Sequence, residues 1–96
     1  MKQTMEAARQ QLIELIEQHQ VTAGMRIRVR GQDLVLSREE DRELEDRIKF
    51  TRLGTNSYGV SVKRHTGRWQ HTPFSGPLQE VVDAVTSFMQ HLVAPY

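Results

Sequence analysis

The stretch MRIRVRGQDLVLS, residues 25–37, decides how the rest of the chain is read. Met25, Ile27 and Val29 alternate with Arg26, Arg28 and Arg30, so one side of the segment is apolar and the other cationic. A period of two marks a half-buried strand. Gly31-Gln32 suits a two-residue hairpin turn with glycine at its first central position. With that turn, Val29 opposes Leu34 and Ile27 opposes Leu36, while Arg30 meets Asp33 on the other face. Turn and pattern agree on one register.

Downstream, a second hairpin follows the same logic. Ile48 and Phe50 alternate with Arg47, Lys49 and Thr51, and Tyr58, Val60 and Val62 alternate with Gly59, Ser61 and Lys63. A three-residue loop, Gly54-Thr55-Asn56, sets Phe50 opposite Val60, Ile48 opposite Val62 and Tyr58 opposite Arg52 at the sheet margin. Thr66-Gly67 then turns the chain into a short fifth strand over Arg68 to His71, with Trp69 expected inward.

Helices are expected at both ends. Thr4 can cap a helix running to about Gln20, with Met5, Ala8, Leu12, Ile13 and Ile16 on one stripe and Gly24 as its stop. Near the other end, Gly76 is a tolerable N-cap and Pro77 a good first helical residue. Leu78, Val81, Val82, Val85, Phe88, Met89 and Leu92 form a broad apolar stripe that Pro95 closes. Its width suggests apolar surface beyond what the sheet needs, which would mark an interface.

Between the hairpins, residues 37–46 change character. Glu39, Glu40, Asp41, Glu43, Glu45 and Asp46 are half of the chain's 12 acids, and Leu44 is the segment's sole apolar residue. Ser37 and Glu40 have capping-box spacing. The expectation is a short exposed helical turn or a solvated loop.

The resulting fold class is α+β, a two-layer sandwich in the order α-β-β-β-β-β-α. Its antiparallel sheet of about five strands carries the N- and C-terminal helices on one face. The 96 residues make a single domain, 1–96, able to bury one modest core. With 38% hydrophobic residues and a net charge of +1, the chain is too apolar and too weakly charged for wholesale disorder. The chain has no cysteine, which excludes a disulfide scaffold, a thiolate zinc site and a cysteine nucleophile. Glu6, Glu14 and Glu17 interrupt the first twenty residues, which argues against a signal peptide. No run approaches the roughly 18 apolar residues of a membrane span. A cytoplasmic setting is expected.

The small net charge hides a segregation. Residues 25–36 and 47–72 hold nine bases against one acid, Asp33, whereas residues 37–46 hold two bases against six acids. The registers put Arg26, Arg28, Arg30, Lys49 and Lys63 on the face away from the core, with Arg47, Arg64 and Arg68 at its margin. Arg47 and Lys63 would oppose each other, a like-charge pair that costs stability unless something offsets it. A polyanion could do so through its phosphates. So could the acidic segment folded over the face, an acidic protein or twin subunit, or solvent around cations whose stems pack on neighbours.

The leading expectation is a non-enzymatic binding module whose basic sheet face contacts nucleic-acid backbone through those eight residues. Phe50, Tyr58 and Trp69 all fall on the apolar parity, although Tyr58 and Trp69 could be partly exposed, so base stacking is not expected, and sequence specificity should be small. The alternative is a regulatory or assembly subunit acting by protein contact, as a homodimer.

Chemistry is weakly signalled. His19, His65, His71 and His91 lack metal-ligand spacing, and the helical positions of His19 and His91 suit the dipole of a helix C-terminus. The paired acids Glu39 and Glu43 lie in an exposed run, without the burial that tunes a catalytic carboxyl. No Gly-x-Ser-x-Gly elbow and no phosphate-cradling glycine loop occurs. No catalytic residue, metal or cofactor is expected.

Overall fold

The structure, a computed structural model, describes residues 3–20, 22–64 and 66–88. Its elements are α1 (Met5–Glu17), β1 (Arg26–Arg30), β2 (Asp33–Glu40), β3 (Glu43–Gly54), β4 (Ser57–Lys63), β5 (Trp69–Gly76) and α2 (Leu78–Phe88). The strands form one antiparallel sheet in the order β1-β2-β3-β4-β5, so each pairs with its neighbours in sequence. Both helices pack on the same face. His65, Met89, His91, Leu92 and Pro95, which entered the expectations above, lie outside the described residues.

Helix α1 starts as its cap residue predicts: the Thr4 hydroxyl accepts the Ala7 N–H at 3.0 Å. Ala8, Leu12 and Ile16 are its buried stripe. The helix ends at Glu17, earlier than the expected Gln20, and Gly24 is not its stop. The buried Thr22 hydroxyl donates to the Ile16 carbonyl at 2.7 Å, satisfying an acceptor that the next helical turn would have used. Gly24, at φ +83°, instead turns the chain into β1. Arg9 then donates to the Ile27 carbonyl at 3.2 Å, tying α1 to the edge strand.

The β1–β2 and β3–β4 registers are those expected, from Val29 opposite Leu34 to Phe50 opposite Val60. Gly54 itself pairs with Ser57, and a bulge at Leu53 takes up the extra residue. Tyr58 is not marginal. It is fully buried, and its hydroxyl accepts from Arg52 Nη2 at 3.0 Å. Leu34, Leu36, Ile48, Phe50, Tyr58 and Val60 form the sheet side of the core, closed by Leu12 and Ile16 of α1 and by Leu78, Val81, Val82 and Val85 of α2.

Residues 37–46 overturn the expected helical turn or loop. They lengthen β2 and β3 into a hairpin arm, with Ser37 opposite Asp46, Arg38 opposite Glu45 and Glu39 opposite Leu44. Asp41 and Arg42 form the tip at φ 51° and 69°, the positive values that a twist-matched two-residue turn requires. Arg38 faces Glu45, an opposite-charge pair, whereas Glu40 faces Glu43, and Arg47 reaches both Glu40 and Glu45 from the base of the arm. The arm also supplies the strand order that the pattern alone did not.

The fifth strand is longer than expected, and Trp69 faces the other way. A two-residue turn at Thr66-Gly67 would put Trp69 opposite Arg64 on the core side. Here Arg64 N–H donates to the Arg68 carbonyl at 2.9 Å, and Trp69 pairs with Lys63. A slip of one residue moves every side chain to the opposite face. Pro73 sits within β5 at a bulge on the sheet edge, where its missing N–H breaks no ladder. Thr72 Oγ1 donates to the Val60 carbonyl there at 2.9 Å.

The surplus expected of α2 is small among the described residues. Leu78, Val81, Val82 and Val85 are buried, while Phe88 is 71% exposed, its ring stacked on Phe74 at 5.9 Å.

Candidate functional site

The sheet face away from the helices is built by alternation. It presents Arg26, Arg28 and Arg30 from β1, Val35 and Ser37 from β2, Lys49 and Thr51 from β3, Gly59, Ser61 and Lys63 from β4, and Trp69 and His71 from β5. Val35, on this outer face, is only 2% exposed. It lies in register between Arg28 and Lys49, whose long stems flank it and keep their charged ends in water.

The β1 half of the face is neutralised from within the chain. Arg26 Nη2 meets Glu39 Oε2 at 2.8 Å, and Arg28 Nη2 meets Asp46 Oδ2 at 2.8 Å. Ser37 donates to the other Asp46 oxygen, and Lys63 Nζ lies 4.0 Å from Asp46 Oδ2. The arm therefore offsets two of the three β1 arginines. Arg30, beside the Gly31 turn, stays exposed, while Asp33 opposite it accepts the Thr51 hydroxyl at 2.7 Å.

Arg47 leaves this surface altogether. It is the extra residue of the bulge between the Leu36–Ile48 and Ser37–Asp46 pairs. Its guanidinium, 6% exposed, bonds Glu40 at 3.2 Å and Glu45 at 3.3 Å. The expected opposition of Arg47 and Lys63 is thus relieved: Arg47 turns to Glu40 and Glu45, while Lys63 shares Asp46 with Arg28. Arg38 lies in the same cluster. Burial pushes its guanidinium below the ordinary arginine value, the nearby Arg47 charge adds to this, and Glu40 pulls the other way. Arg64 and Arg68 are exposed at the β4–β5 turn, with Arg64 Nη1 donating to Gln70.

The β3–β5 half is organised around Trp69. Lys49 Nζ lies 4.7 Å and Lys63 Nζ 5.6 Å from its ring centroid. This aromatic is the residue that sequence reasoning missed, and the signal was the length of the β4–β5 loop. Two residues along β5, His71 Nδ1 is 3.0 Å from Ser61 Oγ. The pair borders a recess of about 240 Å³ whose wall includes Thr51, Gly59, Pro73 and Ser75 and no carboxylate. Ser61 is buried beneath it and the imidazole is exposed, and among the described residues no carboxylate lines the recess to orient the ring. That is not the arrangement of an activated nucleophile.

His19 Nε2 lies 3.5 Å from Asp83 Oδ1, linking the end of α1 to α2. Among the described residues, no three His, Asp or Glu side chains are grouped to hold a metal, and no helix is long and apolar enough to cross a membrane. Comparison with known proteins gives no match: no family model, no curated protein and no solved structure is significantly similar to the chain.

Proposed function

We propose that this chain is a small binding module whose outer sheet face contacts nucleic-acid backbone. The observation that carries the reading is the β3–β5 half of that face. Lys49 and Lys63 flank Trp69 there, on a surface that neither helix occupies. Arg64 and Arg68 extend the same positive charge past the β4–β5 turn, and Arg30 lies at the far corner. Closely spaced cations on an open surface attract phosphates and release the counterions held around them.

The acids of the arm shape the footprint. Exposed ion pairs such as Arg26–Glu39 contribute about 0–1 kcal/mol, so a multivalent anion can replace such a carboxylate. The footprint then centres on Lys49 and Lys63, with Arg26 and Arg28 recruited by exchange, and Arg47 has no part in it. The same pairs favour a second reading, a protein-contact subunit in which the outer face is already balanced internally.

Fluorescence anisotropy with labelled single-stranded DNA, duplex DNA and RNA at about 50 and 200 mM salt tests the proposal. The expected result is binding that weakens steeply with salt and falls at least tenfold in K49E. Absence of binding at low salt overturns it and moves the search to protein partners, beginning with the oligomeric state by light scattering.

A further inference from the structure

We infer that Trp69 and the recess beside it seat unpaired bases, so that the ligand of the outer face is single-stranded nucleic acid. The inference rests on the backbone reading above and deepens it. Trp69 is the chain's only tryptophan. It stands on the sheet face opposite the core, and its neighbours are the two ammonium groups of Lys49 and Lys63. Cations at this range hold an indole in place through its ring quadrupole. Both ammonium groups lie over the ring, so a base that stacks on Trp69 takes the place of a flexible lysine end, which then meets the nucleotide's phosphate. Stacked bases with flanking cations are how single strands are held without reading their sequence.

The recess gives a second seat. His71 follows Trp69 by two residues, about 6.6 Å along β5 and on the same face. Its ring is tethered to Ser61 Oγ at 3.0 Å. Leu53 closes one side: its isobutyl group packs over Gly59, where a Cβ would stand 3.3 Å from Leu53 Cδ1. At about 240 Å³ the recess is below the size of a drug-like pocket and suits one flat ring. Leu53, Val60 and Phe74 give it apolar walls, and the exposed Ser75 hydroxyl can donate to or accept from a base edge, while Thr51 is engaged by Asp33 and Ser61 by His71. A duplex keeps its bases stacked inside and offers this half of the face phosphates alone.

The test titrates the full chain with an oligothymidylate of about 12 nucleotides, an abasic strand of equal length and charge, and a duplex. Anisotropy reads affinity, and tryptophan emission reports Trp69 alone. The base-bearing strand should bind about tenfold tighter than the abasic strand and quench the emission. W69A should remove most of the difference between the two strands and W69F should restore part of it, while H71A weakens the base-bearing strand only and W69A/H71A brings the two strands to equal affinity. Equal binding of both strands by the native chain, or binding without quenching, overturns the base seat and leaves the backbone reading standing. Failure of all three ligands to bind overturns both.

Discussion

Arg28 and Asp46 meet at 2.8 Å although they belong to β1 and β3, strands that do not pair. The contact reaches across β2 over Ser37, whose buried hydroxyl bonds the same carboxylate. Asp46 thus lies between Arg28 and Lys63, and on the proposed reading it competes with a phosphate for them.

D46N removes that internal competitor while leaving an acceptor for Ser37. Affinity for a polyanion should rise about three- to tenfold and its salt dependence should steepen as Arg28 and Lys63 come into play. Because Arg28 is about half exposed, the folded state should lose no more than about 1 kcal/mol. Anisotropy at two salt concentrations and a urea melt check both halves; unchanged affinity would mean Arg28 and Lys63 do not touch the ligand.

Replacing Arg47 should have the opposite profile. R47A strips Glu40 and Glu45 of a largely buried partner and should cost about 2 kcal/mol, less than a fully buried pair because both glutamates reach solvent. Affinity of the folded variant for polyanions should not change. A parallel fall in affinity at temperatures where R47A is fully folded would return Arg47 to the interface.

At the arm's tip, Asp41 holds φ 51° and Arg42 φ 69°, a region that short polar side chains such as aspartate tolerate better than arginine. R42G should relieve this and stabilise the chain by about 0.5–1 kcal/mol, a gain of a few degrees in Tm. A lower Tm would show that the arginine side chain contributes more than its backbone costs.

Phe50 and Leu53 lie three residues apart on β3 and should respond very differently. Phe50 is fully buried at the centre of the sheet, and F50A should cost about 3–5 kcal/mol. Leu53, at the bulge, is 63% exposed, and L53A should fall within about 0.5 kcal/mol of the native chain. Chemical denaturation measures both.

The parts of the fold legible in the sequence are those where one face is apolar. Met25 to Leu36 and Ile48 to Val62 carry their registers in their alternation, and the helical stripes do the same at their own spacing. Residues 37–46 carry no such signal because polar and charged residues fill the arm, Leu44 apart. Arg38–Glu45 pairing looks, in one dimension, like any solvated acidic run. Trp69 failed for a different reason. Its face depends on the length of a loop, and a tryptophan's hydrophobicity argues for the core whichever way the loop closes. The cationic face was therefore visible in outline, but the acids that balance half of it and the aromatic that organises the other half were not.

The strict neighbour-to-neighbour order of the strands has a kinetic consequence. Every ladder closes through a short local connection, so the sheet can zip hairpin by hairpin without a distant strand having to arrive first. The expensive closure is between the two ends of the chain, where α1 must meet α2 and His19 must find Asp83. Refolding should accordingly show strand signal forming early and helix docking last, with α1 mutations accelerating unfolding more than they slow folding.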